Sequence, residues 1–182
     1  MWINWNDLPE SMKNEQVRHY YKILKKKQGS LIVKRGFDIE ASLVMLILLS
    51  WLFLILAVAI KVDSHGPVFY RQVRVTTGNR DFRIFKFRTM INNADKIGSL
   101  VTTGNDSRIT RVGAKIRKCR LDEIPQLLNI LKGEMSFVGT RPEVRKYVDR
   151  YTDEMMATLL MPAGVTSLAS ISFKDEDELI DE

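Results

Sequence analysis

The longest interruption of mixed polar and apolar sequence runs from Ala41 to Ile60, twenty consecutive residues without a charge. As a helix this stretch measures about 30 Å, one hydrocarbon thickness, and it has no polar face for a soluble surface. Ahead of it, Val17, Tyr20, Tyr21 and Leu24 fall at i, i+3, i+4 and i+7 beside Lys22 and Lys25 to Lys27, with Trp2, Ile3, Trp5 and Leu8 upstream. That pattern predicts a basic amphipathic helix suited to an anionic bilayer surface or, alternatively, to packing on a soluble domain. Beyond it, Gly66-Pro67 makes a turn. Val68 to Val75 and Asp81 to Arg88 then alternate or concentrate β-formers around Thr77-Gly78-Asn79, which predicts a hairpin. A helix is expected over Met90 to Ile97, a polar loop over Val101 to Asp106 and a basic segment over Arg108 to Lys118. Ile124, Leu127, Leu128 and Leu131 recur at helical spacing, so a helix is expected to begin near Asp122, an N-cap residue type, with Pro125 in its first turn. Met135 to Gly139 reads as a short strand or turn, residues 143–149 and 153–160 as helices, and Pro162-Ala163-Gly164 as a break. The fold class is α/β, mostly helical with a small β-hairpin. Its organisation is an N-terminal basic segment (1–30), a membrane helix (31–62), a folded domain (63–173) and an acidic tail (174–182).

Charge orients the apolar stretch. Residues 21–40 hold six Lys or Arg and residues 61–80 hold four, so the positive-inside rule asks for both flanks on the cytoplasmic side. A straight span leaves one flank on the wrong side. A helix that bends and returns satisfies both, with Ser50 as the candidate for stabilising the break and Lys34-Arg35 as headgroup-level anchors. Ala57-Val58-Ala59 mimics a signal-cleavage site, but forty residues before the apolar run are wrong for a signal peptide. The formal charge of the 182 residues is +6, yet without the acidic residues 174–182 it becomes +11. An anionic partner follows: nucleic acid, a lipid surface or a phosphorylated substrate. One cysteine, Cys119, excludes an internal disulfide and a Cys-rich metal site, and is expected to be a packing residue in a reduced, cytoplasmic-side protein.

The candidate chemistry centres on Asp122-Glu123. Arg108, Arg111, Lys115, Arg117, Lys118 and Arg120 precede the pair and Lys132 and Arg141 follow it. Taken alone, two carboxylates before a proline are an ordinary helix cap. The chain has no G-x-x-x-x-G-K-[ST] phosphate loop and no Ser-His-Asp order, and His19 and His65 read as surface residues.

Seven segments in one order change that balance. They are Lys34 to Asp38, Gly66 to Arg74, Phe85 to Met90, Asp106 to Thr110, Leu121 to Gln126, Leu131 to Ser136 and Val138 to Pro142. Together, over Lys34 to about Ser172, they resemble the bacterial sugar transferase family, the monotopic phosphoglycosyl transferases. The resemblance implies a re-entrant membrane helix and a small catalytic domain on the cytoplasmic face of the bacterial inner membrane. It implies transfer of a phosphosugar from a UDP-sugar to a polyprenol phosphate such as undecaprenyl phosphate, with Mg²⁺, in surface-glycan (exopolysaccharide) biosynthesis. By the same resemblance Asp122 is the nucleophile that forms an aspartyl-phosphosugar and expels UMP, and Glu123 is the Mg²⁺ ligand. Lys86, Arg117 and Arg141 match cationic positions expected to hold phosphates or nucleotide, and Gln72 and Arg74 match a further motif. Trp51 follows Ser50 where the family usually has Pro, Thr140 stands where many members have Pro, and members commonly continue into further helices beyond the position of Glu182. The competing reading is a non-catalytic, membrane-attached basic module that holds anionic lipid or nucleic acid. The enzyme reading expects no nucleic acid and accounts for cations, carboxylates and anchor together.

Overall fold

The computed structural model describes residues 3–94 and 106–167. Two 3₁₀ turns, Trp5–Asp7 and Glu10–Met12, lead into α1 (Glu15–Lys26), whose N-cap Asn14 accepts from the Val17 amide at 2.8 Å. Helix α1 turns Val17 and Tyr21 into a core shared with Leu8, Met12, Val75, Val148, Leu159 and Leu160. Its apolar stripe therefore lies on the folded domain and is not free for a bilayer surface. The domain offers α1 a matching apolar face, and burying a side chain such as Val17 stabilises by about 1.5–3 kcal/mol. Trp5 meets the Tyr21 ring edge-on at 5.3 Å, and its amide donates to the Tyr21 hydroxyl at 3.0 Å.

The apolar stretch forms two helices, α2 (Gln28–Leu48) and α3 (Ser50–Asp63), bent by 61°. No single described helix is long and apolar enough to cross a membrane, although the bent pair together has the length and composition. Ile32, Leu43, Val44, Ile47, Leu48, Trp51, Leu54, Ile55, Val58 and Val62 all face outward, far more apolar surface than single scattered residues would give. The break falls at Leu49 without a proline. Ser50 is simply the exposed first residue of α3, and the hydroxyl that bonds back to a helix carbonyl is that of Ser42, to Ile39 at 3.0 Å. Lys34 and Arg35 are tied to the domain. Arg35 donates to the carbonyls of Ile130 (2.6 Å) and Leu131 (3.0 Å), while Lys34 donates to Ser136 and pairs with buried Asp38. Asp38 in turn accepts from Ser136 Oγ and the Phe137 amide, so its buried charge is fully partnered.

Strands β1 (Phe69–Thr76) and β2 (Arg80–Phe87) form the expected antiparallel hairpin, with Tyr70 opposite Lys86 and Gln72 opposite Ile84. Met90 does not start a helix: it bridges to Ile109, and residues 95–97 lie outside the described residues, as do 101–105 of the expected loop and the tail 174–182. Helix α4 (Arg111–Lys118) is capped by Thr110 and ends at Cys119, which is exposed rather than packed because it sits past the last helical turn. The chain then reverses through Arg120 into a 3₁₀ helix, Leu121–Gln126, continuous with α5 (Leu127–Lys132). Strand β3 (Met135–Val138) pairs in parallel with β4 (Ala163–Thr166), a strand that stands where Pro162-Ala163-Gly164 predicts only a helix break. Between them lie α6 (Arg145–Val148) and the 3₁₀ helix Met155–Leu160, in place of the two longer helices expected.

Candidate active site

Asp122 is not an N-cap. Arg120 holds that place in a left-handed conformation (φ 52°, ψ 25°), which puts Asp122 and Glu123 together in the first turn of the 3₁₀ helix. The tight turn lays their side chains against β2. Lys86 Nζ stands 2.7 Å from Glu123 Oε1 and 3.9 Å from Asp122 Oδ2. Arg141 Nη2 approaches Glu123 Oε1 at 3.8 Å from the opposite side.

The register of these groups is set by buried polar contacts. Asn129 of α5, fully buried, accepts from the Phe85 amide at 2.8 Å and donates to the Arg83 carbonyl at 3.0 Å and to Glu134 at 2.6 Å. One amide side chain thus occupies the free edge of β2 as a neighbouring strand would, and it locks the helix behind the carboxylates to the strand bearing Lys86. Arg117 reaches its position because Gly113 lets α4 lie directly on Thr89. A Cβ at Gly113 would sit 2.0 Å from the Thr89 carbonyl oxygen. Arg117 Nε then donates to Thr89 Oγ1 at 2.8 Å. Arg141 is placed by the β3–β4 pair, where Gly164 donates to the Thr140 carbonyl at 2.8 Å and a Cβ on Gly164 would meet Gly139 N at 2.2 Å.

Asp122 opens into a cavity of about 550 Å³. Arg71, Arg74, Lys86, Arg88, Arg108 and Arg117 line it, and Asp122 is the one carboxylate among its lining residues. Gln72 lies on the same wall and orients Arg74, whose Nε and Nη2 donate to Gln72 Oε1 at 3.1 and 2.8 Å while Nη1 holds the Pro142 carbonyl at 3.0 Å. Lys86, Arg117, Gln72 and Arg74 therefore line one cavity with Asp122. Arg141 does not line this cavity; it stands on the Glu123 side. Ser50, Lys34 and Arg35 belong to the apolar helix pair and its attachment. Arg88 and Arg108 are cavity residues that sequence alone does not single out. Arg88 is buried and donates to Ser64 O, Ser64 Oγ and His65 O, joining the exit of α3 to the cavity, and its Nε has no hydrogen-bond partner among the described residues. Arg108 is held by Asp106 and the Ala94 carbonyl. Arg88 follows β2 and Arg108 lies in a turn, and neither position carries a pattern that tells which basic side chains point inward.

The two neighbouring carboxylates are driven apart. Burial pushes the Asp122 pKa up, with repulsion from Glu123 adding, against the pull of Lys86 and Arg117. Burial acts on Glu123 in the same direction, but Lys86, Arg141 and Arg120 outweigh it and hold the Glu123 carboxyl below its usual value. Among the described residues no group of three or more His, Cys, Asp and Glu side chains forms a cage for a metal. Asp122 and Glu123 are adjacent hard oxygen donors of the kind that hold Mg²⁺ together with substrate phosphates, and of the two Asp122 lines the cationic cavity.

Comparison with known proteins accords with this arrangement. The sequence profile of the family described as bacterial sugar transferase matches residues 29–182. The UDP-N-acetylgalactosamine-undecaprenyl-phosphate N-acetylgalactosaminephosphotransferase of Aeromonas hydrophila is 50% identical over 142 residues, which cover 76% of this chain and 34% of that protein. The undecaprenyl-phosphate glucose phosphotransferase of Komagataeibacter xylinus is 39% identical over 152 residues, 80% of this chain and 29% of that protein. A putative undecaprenyl-phosphate N-acetylgalactosaminyl 1-phosphate transferase of Bacillus subtilis is 36% identical over 137 residues, 75% of this chain and 76% of that protein. The chain thus spans about a third of the length of the first two relatives and three quarters of the third. By its profile match and by its likeness to these proteins, the chain belongs to the bacterial sugar transferase family.

Proposed function

We propose that the protein moves a phosphosugar from a UDP-sugar to a polyprenol phosphate through a covalent intermediate on Asp122. The observation that carries this reading is a single largely buried carboxylate in a cavity whose lining also includes six cationic side chains. An anionic nucleophile approaches a diphosphate only where the charge of both is compensated. Here Lys86, Arg74, Arg88, Arg108 and Arg117 surround the space a diphosphate would fill. Asp122 attacks the phosphorus that carries the sugar, the bond to the UMP oxygen breaks, and UMP departs. A lipid phosphate then takes the phosphosugar from Asp122, which restores the carboxylate and gives ping-pong kinetics. Glu123, with substrate phosphate oxygens, would hold Mg²⁺, whose chemistry there is to neutralise charge on the diphosphate. Lys86 pairs with Glu123 in the free protein and is placed to shift its hydrogen bonds to the incoming phosphates.

Membrane attachment fits the same scheme, because a water-soluble nucleotide and an apolar acceptor must meet at one interface. The bent, outward-apolar pair α2–α3 is read as a re-entrant element with the catalytic domain on the cytoplasmic face.

The test is UMP release from UDP-sugars, UDP-N-acetylgalactosamine and UDP-glucose among them, with Mg²⁺. Wild-type protein is expected to release UMP and to gain the mass of a phosphosugar on Asp122, read by intact-protein mass spectrometry. Asp122→Asn is expected to lower release at least about 10³-fold. Equal release by the variant refutes the nucleophile assignment.

A further inference from the structure

We propose that the inner face of α3 and the bend after it, Asp63 to Gly66, form a clasp that positions two cations of the Asp122 cavity, Arg88 and Arg117. Through it, an anion bound in the cavity and the packing of the apolar helix pair on the domain stabilise each other. The clasp rests on the reading above of that cavity as a diphosphate site, and it makes Asp63 and Ser64 positioning residues.

Two layers of contact build it. In the apolar layer, Leu56 and Ile60 of α3 share a buried cluster with Phe87 and Ile116, the residues immediately before Arg88 and Arg117. In the polar layer, Arg88 Nη2 donates to Ser64 O at 2.7 Å and to Ser64 Oγ at 2.8 Å, and Nη1 donates to His65 O at 2.9 Å. Asp63, the last residue of α3, accepts from the Val112 amide at 3.0 Å and so holds the first turn of α4. Near the other end of α4, Arg117 donates to Thr89, the neighbour of Arg88. The contacts thus run in a ring from α3 to the residues after β2, to α4 and back to α3. Gly66 lets the ring close: it takes φ 131°, and a Cβ there would overlap Arg88 Nη1. Asp63 and Ser64 do not line the cavity, whereas Arg88 and Arg117 do. Whatever the bend does to a ligand therefore passes through those two arginines.

Charge gives the cavity's occupant a part in this. Arg88 is 5% exposed, its guanidinium donates to neutral oxygens, and burial with no acidic neighbour to oppose it holds its pKa below the usual value. A buried cation without a counter-charge is costly. A phosphate group in the cavity supplies that charge and steadies the guanidinium, which in turn steadies the exit of α3. The coupling is reciprocal, so a change that loosens α3 at this point weakens the anion by the same factor.

Hydrogen exchange and binding by the full chain in nanodiscs test the clasp. UDP is expected to slow amide exchange about threefold or more in wild-type peptides spanning residues 61–69 and 110–116. No slowing at saturating UDP overturns the proposal. Asp63→Ala is expected to raise the UDP dissociation constant about fivefold, and to add little once Arg117→Gln is present. An undiminished effect in the Arg117→Gln background, or wild-type affinity in folded Asp63→Ala protein, overturns the positioning role of Asp63. Arg88→Lys keeps the charge, but a single ammonium lacks the fork that spans both Ser64 and His65, so UDP should no longer slow exchange over 61–69. Slowing that persists in this variant removes Arg88 from the clasp. Inorganic pyrophosphate separates the clasp from the transferase reading: protection by pyrophosphate in a protein that does not bind UDP upholds the first and defeats the second.

Discussion

Two adjacent carboxylates that would titrate alike in a peptide have been given different surroundings. Asp122, whose pKa is raised first by burial, must be ionised to attack. The acid limb of UMP release should therefore lie at higher pH than an ordinary aspartate would give, with activity falling as pH drops through the raised value. Arg117 is one of the charges that lowers this pKa, so Arg117→Gln should move the limb further up, whatever it does to the plateau. A limb that stays in place in the variant would show that Arg117 does not act on Asp122. Asp122, Glu123 and Lys86 stand out in sequence because they sit in recognisable segments, and Arg117 stands out as part of the basic run before the pair. The electrostatic division of the pair does not, since it depends on which carboxylate Lys86 reaches at 2.7 Å and which at 3.9 Å. Arg141 was legible as a cation and illegible as a neighbour of Glu123 rather than of the Asp122 cavity.

At the scale of elements, alternation announced the hairpin to within a residue at each end, because its register follows from local pattern. The four-residue β4 had no such signal: Ala163-Gly164-Val165-Thr166 becomes a strand only through β3, which lies over twenty residues away in sequence. The 3₁₀ helix was read as the start of an α-helix because Arg120, not Asp122, makes the turn, and a left-handed arginine leaves no mark in sequence. Asn129 was likewise unreadable, since an Asn in a helical pattern reveals nothing of the strand edge it completes. Its prediction belongs here. Asn129→Ala leaves the half-buried Phe85 amide and Glu134 carboxylate without this partner and should cost about 1–3 kcal/mol by denaturant unfolding. Because it also frees α5 from β2, activity should fall in variant protein that remains folded. Unfolding at the wild-type midpoint would remove Asn129 from any part in holding Lys86 against Glu123.

For the whole molecule, the decisive relation is between the segments that flank the apolar helix pair. Residues before it (Leu8, Met12, Val17 and Tyr21) and after it (Val75, Val148, Leu159 and Leu160) share one core. Ser11 also accepts a hydrogen bond from Asn79 at the hairpin turn. A straight span would place these halves on opposite sides of the bilayer and expose each of those side chains, at about 1.5–3 kcal/mol apiece for the larger ones. The positive-inside count, drawn from charges alone, asks for the same topology as this packing, which the sequence could offer only as one of two fates for the α1 stripe. The exposed Cys119 provides a natural reporter of the catalytic domain, and Ser11→Cys in a Cys119→Ser background reports the N-terminal segment. A membrane-impermeant maleimide should label both in inverted vesicles and neither in right-side-out vesicles. Labelling of the two positions from opposite sides would mean that the α2–α3 pair crosses the bilayer and that the shared core is not formed in the membrane.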